Sequence, residues 1–460
     1  MTECTGDGFV FEGRGRRQVV ARFDGGDVSS EGGAILLREA ESKVGVLKRF
    51  GECFRDGRRA ERVRHSIEEM VTQRVLGLCL GWEDLVDHDD LRRDPLLATL
   101  VGKREPKKEL LASSSTLNRL ELGAEAVEES ERYKKISLDF DAVDRLLVQA
   151  FLESYDEPPG EILIDFDATD DPLHGHQEGR FFHGYYDCYC YLPLYAFCGE
   201  HILCARLRRS DIDGAAGALE ETQRIVGQIR EAWPEVKIIL RGDSGFCRES
   251  LMAWCEAENV EYVLGIARND RLVKMIDGDL GIAQMQCAGT GEAARVYRDL
   301  SYRTINSWTR SRRVVAKAEH SPKGDNPRFV VTSLPKGIEA KHLYEELYCA
   351  RGEMENRIKE QQLYLFADRT SSHWMRANQI RLYFSSIAYS LMQALRRIGL
   401  AGTTMAKAQC HTIRLRLLKI GALVKVTVRK VWIKLSESYP HAAIFADIWH
   451  RLSAAPPRYV

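Results

Sequence analysis

The sequence predicts an α/β protein, a mixed β-sheet with helices around it and helical segments on either side. Three observations carry this. Residues 161–169, EILIDFDAT, form an apolar run that ends in carboxylates. Ile162, Leu163, Ile164 and Phe166 suit a buried strand, and Asp165 and Asp167, two apart, share one of its faces. Hydrophobic spacing is helical before Pro158-Pro159-Gly160 and strand-like after it, so the chain changes character there. Beyond that break, apolar strands alternate with amphipathic helices, the pattern of a layered sheet.

Composition narrows the class. With 460 residues, 44% hydrophobic and 29% charged, the chain can bury a core and reads as a soluble globular protein. No apolar run reaches the ~18 residues of a membrane span. The start, MTECTGDGFVFEG, has no basic segment followed by an apolar one, so a cytoplasmic protein is expected. Twelve cysteines without a CxxC pair predict reduced thiols. Cys188, Cys190, Cys198 and Cys204, with His183 and His201, lack the usual zinc spacing and are expected to pack as strand thiols.

In chain order, residues 1–24 form a basic, Gly-rich arm in which Arg16 and Arg17 suit a nucleic-acid backbone. Helices are expected at about 34–48, 63–80 and 138–155. A short helix in 113–123 exposes Thr116, Asn118 and Arg119, as a small DNA-reading helix or an ordinary bundle helix would. Residues 1–157 therefore read as an all-helical DNA-binding domain. From 158 to 365 the order is three strands, a helix, a strand, a helix and a strand, which is a ribonuclease-H-like order. A β-rich insertion is expected at about 270–338, then a long helix over 339–363. Residues 366–460 read as basic helices.

The carboxylates carry the chemistry. Asp243 follows the apolar strand VKIIL within RGDSGF, at a strand-to-loop edge. Tyr348, Arg351 and Glu355 stand at i, i+3 and i+7 of the long helix, hence on one face. The same spacing also occurs on surface helices full of charge pairs. Two strand-end aspartates and a helical glutamate are hard oxygen donors that suit Mg²⁺ or Mn²⁺. Two such ions ~3.5–4 Å apart would stabilise both the attacking and the leaving oxygen of phosphoryl transfer. The net charge of −1 hides an asymmetry: residues 369–436 contain thirteen Lys or Arg and no acid. Arg376 and Arg381 belong to this run, which suits nucleic-acid phosphates or, alternatively, an acidic partner domain.

With these motifs the chain resembles bacterial insertion-sequence transposases of the DDE class, and among them insertion-sequence family 1380. The resemblance rests on DFDATDD with HGHQEG after it, RGDSGF, YCARGEMENRIKE, HSIEEMVTQRVLGLCLGWEDLVDHDDLRRDP, STLNRLE and DRTSSHWMRANQIRLYF, which together span nearly the whole chain. It implies a ribonuclease-H-like core with Asp167, Asp243 and Glu355 as catalytic residues and ligands of two Mg²⁺ or Mn²⁺ ions. Tyr348 and Arg351 match the Tyr–Arg–Glu part of an extended helix motif and are expected at the DNA. That motif's Lys, seven residues after the Glu, is Gln362 here, and Lys359 is read as lying on another face. Asp165 stands as the alternative first ligand. The implied reaction is hydrolysis at an element end followed by transesterification into target DNA. The implied partners are double-stranded DNA bearing terminal inverted repeats and a second copy of the chain on paired ends. The implied location is the bacterial nucleoid. A catalytically inactive DNA-binding derivative and a ribonuclease-H-like repair nuclease are the alternatives.

Overall fold

The computed structural model describes residues 8–13, 15–122, 124–125 and 135–459. The first seven residues of the basic arm lie outside them. Among the described residues, no helix is long and apolar enough to cross a membrane.

The N-terminal region is built on α1 (Ile35–Val44), α2 (Ile67–Leu80) and α3 (Phe140–Leu152). Local chemistry fixes their ends. Ser66 Oγ accepts from Glu69 N while the Glu69 carboxylate accepts from Ser66 N, which starts α2 with a capping box. Asp139 accepts from Ala142 N and starts α3. The short helix runs Ser114–Glu121. This region is not all-helical, however. Phe54–Asp56 pairs antiparallel with Ile136–Leu138, and Phe9–Phe11 pairs with Val19–Ala21. Three-residue strands are too short to show a period of two, so periodicity missed them.

The centre is a large mixed sheet. Along the chain its parts are β1 (Glu161–Ala168), β2 (Leu194–Cys198), β3 (His201–Arg206), α4 (Ala218–Ala232), β4 (Lys237–Gly242), α5 (Glu249–Ala257) and β5 (Glu261–Ile266). Then come α6 (Asp277–Thr290), β6 (Ala294–Tyr302), β7 (Arg312–Ser321) and β8 (Arg328–Thr332). The spatial order is β3-β2-β1-β4-β5-β8-β7-β6. β4 runs parallel to β1 and β5, and β2 and β8 run antiparallel to their neighbours. Residues 270–338 extend this sheet, but α6 makes the insertion partly helical. Leu280, Ala283 and Cys287, at helical spacing, are its buried residues, and the Gly-rich sequence around them obscures the signal.

One sheet face, with Ile162, Ile164, Phe166, Ile238 and Leu240, packs in a cluster with Ile225 and Ile229 of α4 and Met252 of α5. On the other, Leu163, Ile239, Val263 and Val330 meet Leu343 and Tyr344. Cys190 and Cys204 are fully buried, and among the described residues no group of three or more His, Cys, Asp or Glu is placed to hold a metal.

The C-terminal region consists of α7 (Gly352–Leu365), α8 (Met375–Ala394), a β-hairpin of β9 (Ala422–Val426) and β10 (Val431–Leu435), and α9 (Ala442–Ala454). It is therefore not purely helical. α8 is buried along most of its length. Tyr383, Phe384 and Leu391 share one hydrophobic core with Leu36, Phe50 and Val75 from the N-terminal helices. Gln379 binds α8 to the sheet, its amide accepting from Leu207 N at 2.6 Å and donating to Ala205 O at 2.9 Å. Tyr383 Oη donates to Asp144 on α3 at 2.8 Å.

Gly33 packs directly on the backbone of Leu417. A Cβ there would fall 1.7 Å from the Leu417 carbonyl oxygen. Gly33→Ala is expected to cost about 1–3 kcal/mol or more, read as a fall in melting temperature. Gly227→Ala, on an exposed helical site with nothing within 4 Å, should leave stability unchanged or raise it.

Candidate active site

Strand register brings the first two carboxylates together. β1 and β4 are parallel, with Phe166 opposite Gly242, so Asp167, near the end of β1, and Asp243, just after β4, stand side by side at the carboxyl end of these central strands. Such carboxyl ends of parallel strands are where α/β sheets commonly bind ligands. Asp243 caps the short turn Ser244–Phe246, accepting from Gly245 N at 2.8 Å. Gly265 on β5 gives this loop room. A Cβ there would lie 2.6 Å from Tyr348 Oη and 2.9 Å from Ser244 N.

The third carboxylate arrives on an interrupted helix. The expected single helix over 339–363 is Ala340–His342, a π-helical stretch Leu343–Tyr348, a 3₁₀ turn Cys349–Arg351 and then α7. The interruption coincides with Arg241. Its Nη1 donates to the Leu347 carbonyl, which an unbroken α-helix would use for its own ladder. The same guanidinium holds Asp165 bidentately, Nε to Oδ1 at 2.5 Å and Nη2 to Oδ2 at 2.7 Å. Asp165 is 5% exposed. The two acids of β1 thus share a face but not a role, for Asp165 is occupied beneath the helix and Asp167 opens at the strand's end.

Arg351 joins the strand to the helix. Its Nη1 lies 3.2 Å from Asp167 Oδ1 and its Nη2 3.2 Å from Glu355 Oε1. Asp167, Asp243, Arg351 and Glu355 all line one cleft of about 580 Å³, whose walls also include His183, Tyr185 and Tyr186. Burial raises the Asp167 carboxyl to about 6, with Arg351 opposing the shift and Asp243 and Glu355 adding to it. The Tyr186 hydroxyl is pushed well up by burial and by nearby acids, and it donates to the Ala168 carbonyl at 3.3 Å. In chemistry the three carboxylates fit a hard divalent cation. In placement, Arg351 spans two of them, and the described residues hold no ready-made ligand cluster.

The other expected residues divide. Tyr348 lies beside the cleft, packed on Tyr344 with ring centroids 5.6 Å apart. Lys359 does line the cleft, contrary to the reading from sequence, because it follows Glu355 by one helical turn. Gln362 lines it too and donates to the Asp170 carbonyl at 3.3 Å. Arg376 donates to the Leu138 carbonyl and covers the Phe140 ring, and Arg381 pairs with Glu121 at 2.9 Å. Both are structural in this geometry. Arg119 is half-buried on its short helix, and Arg16 and Arg17 are exposed between the first two short strands. Sequence reasoning gave Arg241 no role. Its signal was an arginine in an otherwise apolar strand, in register with Asp165.

Two substitutions separate the acids of β1 in metal-free thermal melts. The folded pKa of Asp167 is raised, so its charged form costs stability above about 6, and that cost vanishes below the unfolded value of 3.8. Asp167→Asn should melt higher than the parent at pH 8, on the order of 1–3 kcal/mol, with the gap closing toward pH 4. Arg241→Met should instead lose about 3–5 kcal/mol at pH 8, because it leaves Asp165 buried and unpaired. That loss should ease as Asp165 protonates on acidification.

No curated protein matches the sequence. Among solved structures, a cryo-electron-microscopy structure of a piggyBac transposase synaptic complex with hairpin DNA aligns at 10% identity and a TM-score of 0.42, over 93% of this chain and 86% of that one. Residues 11–457 match the family described as transposase DDE domain group 1, and the chain belongs to that family of DDE transposases.

Proposed function

We propose that this transposase cuts double-stranded DNA at the terminal inverted repeats of its own insertion sequence and joins the freed ends to target DNA. Asp167, Asp243 and Glu355 are the catalytic carboxylates on this reading. The observation that carries it is their convergence, from two parallel strands and one helix, on a single cleft. The strand order β3-β2-β1-β4-β5, with only β2 reversed between its neighbours β3 and β1, supports a ribonuclease-H-like core. The motifs quoted above favour insertion-sequence family 1380, and the nucleoid is then where the protein works.

Asp167, Asp243 and Glu355 would hold Mg²⁺ or Mn²⁺, which when bound supplies charge stabilisation to the attacking and leaving oxygens of the phosphodiester. The remaining work falls to the chain. Arg351 presents a planar fork suited to a phosphate as well as to carboxylates, and it is placed to exchange one for the other. Lys359, exposed on the cleft wall, offers the cation that Gln362 cannot. Tyr186 pins the end of β1 and so orients Asp167. Arg16 and Arg17 are placed on an exposed turn where a DNA backbone can reach them. Two copies acting on paired ends complete the proposal.

Purified protein with Mg²⁺ should nick a duplex carrying the element ends. Asp167→Asn, Asp243→Asn and Glu355→Gln should each lower the rate about a thousandfold, ~4 kcal/mol of transition-state stabilisation. Gel-shift binding to the same duplex should persist. Unimpaired cleavage by any two of these variants would remove the assignment, and cleavage governed by DNA structure instead of end sequence would point to a repair nuclease.

A further inference from the structure

The basic C-terminal run is largely consumed inside the protein. Arg396 pairs with Glu360 at 2.5 Å, Arg381 with Glu121 and Lys419 with Glu31 at 2.5 Å. Arg369 pairs with Glu83, while Arg376, Arg397 and Arg414 donate to backbone carbonyls. Four of the remaining cations, Lys425, Arg429, Lys430 and Lys434, are exposed on the β9–β10 hairpin.

The hairpin separates its residues by face. Leu423 pairs with Lys434 and Lys425 with Trp432, so these four share a face. The alternate residues Ala422 and Val424 are buried, and Val424 belongs to the main hydrophobic core. The turn is closed by Thr427, whose N–H donates to the Lys430 carbonyl at 2.8 Å and whose hydroxyl accepts from Lys430 N at 3.1 Å. That fixes Arg429 and Lys430 at the tip. Among the described residues the four cations form no ion pair with an acid. Glu437 follows β10 in sequence, and Asp27, whose carbonyl accepts from Val424 N at 2.8 Å, is paired through its side chain with Lys107.

Lysines on an edge strand often serve only to prevent unwanted pairing. That purpose does not account for this surface. Trp432 is 51% exposed and Val428 fully so, which an edge built to repel neighbours would avoid. The segment that leads into the hairpin is tied to the helix that carries Glu355. Cys410 N donates to Glu360 at 2.6 Å, and Arg414 donates to the Tyr364 carbonyl at that helix's end. At its base β9 also pairs with Val28–Ser29 through Ala422 and Leu423, so the hairpin is a two-stranded ribbon only from Val424 to its tip. A ribbon of that kind fits the major groove of a duplex, and cations on it without an acidic partner complement phosphates.

We propose that the β9–β10 hairpin is a second DNA-contact element, separate from the Asp167 cleft, which lays Lys425, Arg429, Lys430 and Lys434 against duplex phosphates. This rests on the transposase reading above. The test is fluorescence anisotropy of a labelled element-end duplex with the full-length protein over a salt series. The parent should bind with a steep fall of log affinity against log salt. In K425Q/R429Q/K430Q/K434Q that slope should be shallower by about 3 to 4, close to 0.9 per phosphate contact. The tip variant R429Q/K430Q should show about half that change, and it serves if the fourfold variant fails to fold. Parent-like slopes in a folded variant overturn the hairpin proposal and leave the transposase reading intact. A changed sedimentation coefficient with an unchanged slope also overturns it, because the face then joins two copies of the chain. Absence of DNA binding by the parent overturns both.

Discussion

A carboxylate on the inner face of a central strand must be answered by a cation, and the candidate site depends on how Asp165 is answered. Burial alone penalises its charge heavily. Arg241, one strand away and in register, supplies both the counter-charge and two hydrogen bonds. Its third bond goes to the Leu347 carbonyl, so strands β1 and β4 are clamped to the helical run above them. That run is π-helical and then 3₁₀ just there, and its phase is reset before α7 begins. The reset helix places Arg351 against Asp167 and Glu355 beside it. A buried ion pair is a poor source of net stability, but it strongly penalises any arrangement that separates its members. Here that penalty fixes the register on which the cleft is assembled.

The same rule governs the C-terminal region. An acid-free run of basic residues suggests a surface for polyanions, yet Arg396, Arg381 and Lys419 reach acids contributed by distant segments. Glu360, Glu121 and Glu31 are themselves almost wholly buried. The cations therefore hold together a core drawn from both ends of the chain. What is left for a partner is concentrated where no buried acid waits, on the β9–β10 hairpin. Charge counted along the sequence overstates a binding surface when pairing across the fold is dense.

How much was legible follows from which signals are local. β1, β4 and β5 announced themselves as apolar runs of six to eight residues, and the acids at the ends of β1 and β4 were readable with them. The pairing of Asp167 with Glu355 through Arg351 was foreshadowed by helical spacing, which survives between Arg351 and Glu355 but not back to Tyr348. The helix break was not readable, because its partner is an arginine more than a hundred residues away. The short strands at Phe54–Asp56 and Ile136–Leu138 are held by one another and by the core, not by their own sequence. Sequence also reads β9–β10 as part of a helical region, since its strands of five residues alternate on a background of cations.

Arg351 has one further consequence for the cleft. Three carboxylates facing one cavity repel one another, and the charges of Asp243 and Glu355 add to the rise, caused first by burial, that takes the Asp167 carboxyl to about 6. A single guanidinium bonded to Asp167 and Glu355 relieves part of that repulsion, and its charge also acts on Asp243. Three ionised carboxylates against one guanidinium leave these four groups net negative by two charges, which one divalent cation would offset. On the proposed reading, Asp167 would hold the cation through its ionised carboxylate, and Arg351 would then be free to face an incoming phosphate. Affinity for the cation should then weaken on acidification, because the same oxygen binds the proton in competition. The geometry that makes the acids costly to keep together is what makes them responsive to the charge of a substrate and its counter-ion.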